Sequence, residues 1–203
     1  SYLVQSPLFC VCDGMGGHAA GEVASSIAVE TIAKTAPQSA DAARLAAAVE
    51  AANAAVIEAA LNGLGKPGMG CTATCAYIEN DTLAIAHVGD SRAYLLHEGT
   101  LIRVTRDHSY VEELVDAGEI TADEARVHPN RSVITRALGS DPAMYADHFT
   151  LHIEEGDRLI LCSDGLSSMI PDSDIENIAT QSSTAQICVD NLVDAALAAG
   201  GHD

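Results

Sequence analysis

The chain has 203 residues, 48% of them hydrophobic, enough for one domain with a substantial core. Acidic residues number 29 against 10 basic ones, a formal net charge of −19. That field repels nucleic acid and anionic membranes, draws cations to any acidic cleft, and repels phosphorylated substrates unless metal ions offset it locally.

In chain order, "LFCVC" (8–12) predicts a short buried strand. Helical spacing of Val23, Ile27 and Ile32 predicts a helix from Gly21 to about Ala36, closed by Pro37. Asp41 is a good N-cap for a long Ala-rich helix. Its most apolar stretch, 45–61, is broken by Glu50, Asn53 and Glu58, so it reads as amphipathic rather than membrane-spanning. A loop-like "NGLGKPGMG" (62–70) precedes four meander strands at 71–78, 82–89, 91–97 and 100–105, with hairpin-like links. After Asp107 the pattern turns helical and polar, then irregular around "NRSVITRALGSDPAM" (130–144). Strands at 146–153 and 157–164 and helices near 173–180 and 184–199 complete the chain. Strands cluster centrally with helices around them, which argues α+β with antiparallel sheets and one domain over 1–203.

Six cysteines stand at 10, 12, 71, 75, 162 and 188. Most lie in apolar runs, so they read as buried free thiols of a cytoplasmic protein. "CTATC" (71–75) lacks the spacing and companion histidines of a zinc site, and no Cys is followed six positions later by Arg.

The chemistry concentrates on aspartates. Asp13 ends an apolar run and is followed by Gly14, Gly16 and Gly17. These glycines have neither the Lys-Ser/Thr of a phosphate loop nor dinucleotide-binding offsets, and the segment lacks the alternating oxygens of an EF-hand. Asp90 follows Gly89, Asp164 precedes Gly165, and Asp203 stands two positions after the Gly200-Gly201 pair. Singly, each is an ordinary turn aspartate. Together, carboxylates converging on one sheet edge would repel one another unless a cation lay between them. All-oxygen sets select hard ions such as Mg²⁺ or Mn²⁺.

"CDGMGGH", "GCTATCAYI", "AHVGDSRAYLL", "TRDHS", "GDRLILCSDGL" and the final "GGHD" occur in the order that resembles the metal-dependent protein phosphatases, the protein phosphatase 2C family, in its bacterial branch. The resemblance implies a central antiparallel β-sandwich with helices on both outer faces, four layers in all. It implies two Mg²⁺ or Mn²⁺ ions, with a looser third in bacterial members. Matched by motif, Asp13 is the bridging aspartate, Gly14 lends its carbonyl, Asp164 and Asp203 are metal aspartates, and Asp90 holds the third ion with Asp164. A metal-activated water then attacks phosphorus in line, without a phosphoenzyme. His18, on the Asp13 loop, is the candidate proton donor to the leaving serine or threonine oxygen; its other reading is a helix N-terminal residue without catalytic use. His87 and His108 read as structural. Residues 107–146 correspond to the family's flap.

Phosphorylated serine/threonine proteins are the implied substrates, with a bacterial Ser/Thr kinase as the opposing enzyme. Two alternatives stand beside this: a regulatory phosphatase of a sigma-factor partner switch, and a pseudophosphatase that only binds. The family pattern begins with a strand carrying "R-x-x-N-E-D" and continues past the last aspartate. On this reading the chain is expected to lack those two terminal strands.

Overall fold

In the computed structural model, which describes residues 1–201, the chain opens with an antiparallel hairpin of β1 (Tyr2–Gln5) and β2 (Leu8–Val11). The apolar run of β2 was expected; β1 was not, because Tyr2 and Val4 are 75% and 73% exposed and leave no buried alternation to read. Backbone pairing to β2 makes it a strand. A two-residue ladder, β3 (Gly14–Met15) on β4 (Gly70–Cys71), follows the tip of β2.

Two helices come between. Helix α1 (His18–Thr35) begins three residues before the predicted start, on Gly17 at φ 90°. Helix α2 (Ala42–Leu61) starts where expected, the Asp41 side chain accepting the Arg44 N–H at 3.0 Å. The meander then runs through β5 (Ala73–Glu79), β6 (Thr82–Val88), β7 (Arg92–His97) and β8 (Thr100–Arg103). Glu98 and Gly99, at φ 47° and 79°, turn β7 into β8, as a two-residue hairpin of right-handed strands requires. The polar stretch forms α3 (Tyr110–Asp116) and α4 (Ala122–Val127), the latter with a full capping box on Thr121 and Glu124. β9 (Asp147–His152), β10 (Arg158–Cys162), a short α5 (Asp164–Ser167), α6 (Asp172–Gln181) and α7 (Ala185–Ala198) complete the described chain.

These elements form two units, Ser1–Ser91 with Asp107–Ile153, and Arg92–Arg106 with the residues from Glu154 onward. The first unit is a five-stranded antiparallel sheet in the order β1-β2-β5-β6-β9, packed by α1 and α2. Cys10, Cys75, Ala84, Ala86 and Val88 meet Ala24, Ala28, Ile32, Val49 and Val56 in its core. Small residues on both helices permit close approach. Two of the polar residues that interrupt α2, Asn53 and Glu50, fasten the irregular segment 128–146. Buried Asn53 donates to the Asp141 carbonyl and accepts the Gly139 N–H, both at 2.8 Å. Glu50 accepts the Ala146 N–H at 3.3 Å.

The second unit is a three-stranded sheet, β10-β7-β8, with α5, α6 and α7 around a core of Tyr94, Ile160, Ile175, Cys188 and Leu192. Arg158 closes the C-terminal end of α6, donating to the Ala179 and Ser182 carbonyls at 2.8 and 3.0 Å. All six cysteines are buried and none is disulfide-bonded. Among the described residues no helix is long and apolar enough to cross a membrane.

Candidate metal centre

Strand registry brings two of the aspartates to one sheet edge. Val11 at the end of β2 faces Thr74, and Val88 at the end of β6 faces Ala73. The start of β5 therefore lies between the two exits, with Asp13 beyond one and Asp90 beyond the other. Thr72, one residue before β5, links them. It donates its N–H to the Asp13 carbonyl at 2.8 Å, and its hydroxyl accepts the Asp13 N–H at 3.0 Å. The same hydroxyl lies 2.7 Å from the Ser91 hydroxyl. Thr72 and Ser91 are fully buried, so these bonds face no competition from water.

The glycines after Asp13 answer first to packing. A Cβ on Gly14 would stand 2.1 Å from the Gly21 carbonyl oxygen, and one on Gly21 would stand 2.8 Å from the Gly14 carbonyl carbon. Loop and helix α1 thus touch backbone to backbone, and neither position admits a side chain. Gly16, at φ 106°, lies against Met69. Of the glycines legible in the sequence, Gly14 is required by the seat of α1, Gly16 by its approach to Met69, and Gly17 has open space around it.

Asp90 is 7% exposed and its Oδ1 receives no hydrogen bond, although the residue makes other polar interactions. Gly89 before it packs on Thr72, with φ 106° and room for no Cβ. On the other side, the Gly89 N–H donates to His108 Nδ1 at 3.0 Å and its carbonyl accepts the His108 N–H at 2.8 Å. His108 Nε2 lies 2.8 Å from Asp147 Oδ2, and Arg136 donates to Asp147 Oδ1 at 2.6 Å. Burial pushes the Asp147 carboxyl up, but its bonds to Arg136 and His108 prevail and hold it below the usual range.

His18 is the first residue of α1 and is exposed. Asp164 follows β10 and opens α5, in the second unit. Asp203 lies outside the described residues. Among those described, no three His, Cys, Asp or Glu side chains gather into a metal cage. What the structure brings together is Asp13 and Asp90, through Thr72 and Ser91. Sequence reasoning passed over Thr72, Ser91 and Asp147, and set His108 aside as structural. Their partners stand 19 to 59 residues away, beyond any periodic signal.

The family profile described as Protein phosphatase 2C matches residues 3–203. The chain is 36% identical to the Serine/threonine phosphatase stp of Listeria welshimeri over 98% of its own length and 82% of that protein's. It is 41% identical to the Serine/threonine protein phosphatase PstP of Mycobacterium tuberculosis over 97% of its length, which is 38% of that protein. A crystal structure of the Mycobacterium tuberculosis phosphatase PstP/Ppp matches with a TM-score of 0.93 at 38% identity, covering all of this chain and 87% of that one. The catalytic domain of PstP in complex with two manganese ions matches at 0.90 and 36%, over 100% and 86% of the two chains. The α+β class expected from the sequence, with antiparallel sheets and packed helices, is shared with these structures. The chain belongs to the protein phosphatase 2C family.

Proposed function

We propose that the chain is a metal-dependent serine/threonine protein phosphatase of the bacterial branch, a single catalytic domain whose residues 107–146 serve as its flap. The observation that supports this most directly is the joint anchoring of Asp13 and Asp90 at one sheet edge, in a chain of this family. The donor set fits hard divalent ions: carboxylates and a glycine carbonyl, with no thiol or imidazole among them. By the family's motifs, Asp13, Gly14, Asp90, Asp164 and Asp203 are the residues that would hold the ions. When bound, Mn²⁺ or Mg²⁺ supplies water acidified to near neutral pH and charge to offset that of the phosphoryl oxygens.

The protein's own contribution is order. Thr72 fixes the backbone of Asp13 from both its N–H and its carbonyl, so the carboxylate need not be organised when substrate arrives. His18, exposed at the start of α1, would be the residue that gives a leaving serine or threonine oxygen its proton. The net charge of −19 means a phosphoprotein is held only while cations occupy the centre. The six buried thiols suit a reducing, cytoplasmic setting, where a Ser/Thr kinase would be the opposing partner.

The test is phosphate release from a phosphothreonine peptide with Mn²⁺. Turnover should stop on EDTA addition and be lost in Asp13→Asn; wild-type turnover by that variant would overturn the assignment of Asp13.

A further inference from the structure

Gly89 is held from two sides. Thr72 blocks one, a Cβ on Gly89 being only 2.6 Å from its Cγ2. His108 occupies the other, and it takes both backbone polar groups of Gly89: the N–H through Nδ1 at 3.0 Å, and the carbonyl through its own N–H at 2.8 Å. An imidazole whose Nδ1 accepts must carry its proton on Nε2, and that nitrogen points at Asp147 Oδ2, 2.8 Å away. The ring is 3% exposed and lies 5.1 Å from the His87 ring, which is itself bonded to Thr74 at 3.0 Å. Beyond Asp147 stands Arg136, whose guanidinium covers the Tyr145 ring at 4.2 Å and reaches its hydroxyl at 3.2 Å. An unbroken chain of contacts thus joins the irregular segment 128–146 to the turn bearing Asp90.

We propose that His108 is a positioning residue of the phosphatase: held in one tautomer by Asp147 and Arg136, it sets the Gly89–Asp90 turn so that the Asp90 carboxylate is presented to a divalent cation. The inference rests on the reading of Asp90 as a metal ligand. Buried histidines are generally hydrogen-bonded; what distinguishes this one is that one ring nitrogen accepts from the backbone of the turn bearing Asp90 while the carboxylate on the other decides which nitrogen accepts. The arrangement is the carboxylate–histidine pairing that orients metal sites elsewhere, here acting on a backbone turn instead of on a ligand directly.

Four variants separate the possibilities. His108→Gln keeps an N–H near the Nε2 position and removes the acceptor at Nδ1. His108→Asn does the reverse. Asp147→Asn relaxes the tautomer, and Asp90→Asn gives the reference loss of the ligand. Mn²⁺ binding is measured by calorimetry on the full chain, beside thermal melts and steady-state kinetics on a phosphothreonine peptide at limiting and saturating Mn²⁺. His108→Gln should weaken the Mn²⁺ binding that Asp90→Asn also affects by about tenfold, within the range for groups behind a ligand. His108→Asn should stay within about threefold of wild type. The activity of His108→Gln should return largely at saturating Mn²⁺ with the peptide KM unchanged.

If Asp90→Asn leaves Mn²⁺ binding untouched, the ligand reading fails and the inference falls with it. If Asp90→Asn weakens binding and His108→Gln does not, the inference alone is overturned. A lowered melting temperature with wild-type Mn²⁺ affinity would assign His108 to folding only. Should His108→Gln fail to fold, Asp147→Asn decides: unchanged Mn²⁺ affinity in that variant overturns the proposal.

Discussion

The two strand ends that bear aspartates in the first unit differ from the one in the second. Asp13 and Asp90 leave β2 and β6 into turns whose backbone polar groups are taken up by buried side chains: the Thr72 hydroxyl for one, the His108 ring for the other. Asp164 leaves β10 directly into α5, and the Ser163 before it makes no side-chain cap. Its carbonyl accepts from Ser168, both the hydroxyl and the N–H, as a helical residue's would. Residues distant in sequence thus place the first two carboxylates, whereas local helical geometry places the third. The first two should be sensitive to remote substitutions and the third tolerant of them.

The largest effect expected is common to both ends and tests whether they serve one reaction. Asp13→Asn and Asp164→Asn should each lower kcat/KM by about 10³-fold, roughly 4 kcal/mol of transition-state stabilisation. Stopped assays at saturating Mn²⁺ would show it, and a loss confined to one variant would break the pairing.

Next comes the seat of α1. Gly21→Ala puts a Cβ 2.8 Å from the Gly14 carbonyl carbon, so helix and loop must part. Overpacking of this kind costs about 3 kcal/mol, and a urea transition should shift accordingly without a change of slope. The Asp13 loop moves with it, so activity should fall more than stability alone explains.

Thr72→Val against Ser163→Ala sharpens the contrast directly. Valine keeps the shape of threonine but leaves the buried Asp13 N–H without its acceptor, a loss of about 1–3 kcal/mol. Ser163→Ala removes a side chain that caps nothing and should stay within about 0.5 kcal/mol. Equal effects on melting would show that the second unit's strand end is also held by side chains.

The smallest effect is a pH dependence in the second unit. His97 lies 2.6 Å from Asp157, and that hydrogen bond raises its pKa; partial desolvation opposes the shift, and the charges of Asp157, Glu98 and Glu154 add to it. A folded pKa above the unfolded value of about 6.5 gives stability fully present below pH ~6.5 and lost as pH rises through the folded pKa. Wild type should therefore lose melting temperature relative to His97→Asn as pH rises above about 6.5. Parallel curves would remove His97 from the account.

Much of the fold was legible in the sequence. The short apolar runs at 82–88 and 92–97, the Asp41 cap and the apolar spacing of α2 are local signals, and each of these elements formed within a few residues of its expected bounds. β1 was not legible because four residues with an exposed pattern carry no period, nor α5 because a four-residue helix is shorter than one period-based window. Among the candidate site residues, the motif aspartates could be named from sequence. The breaks in α2 were visible too, but not that Asn53 binds Gly139 and Asp141, 86 and 88 residues on.

By itself, then, the sequence determined the order of the longer strands and helices, the acidic field, and which aspartates match the family's motifs, because hydrophobic pattern, composition and motif are local properties of a chain. Tertiary structure alone decided that Asp13 and Asp90 leave the same sheet edge, that Gly14 is bare for the sake of Gly21, and that His108 rather than a neighbour grips the Gly89 turn. Those facts depend on strand registry and on single hydrogen bonds between distant residues. Such bonds are directional and close only once the backbone around them is in place.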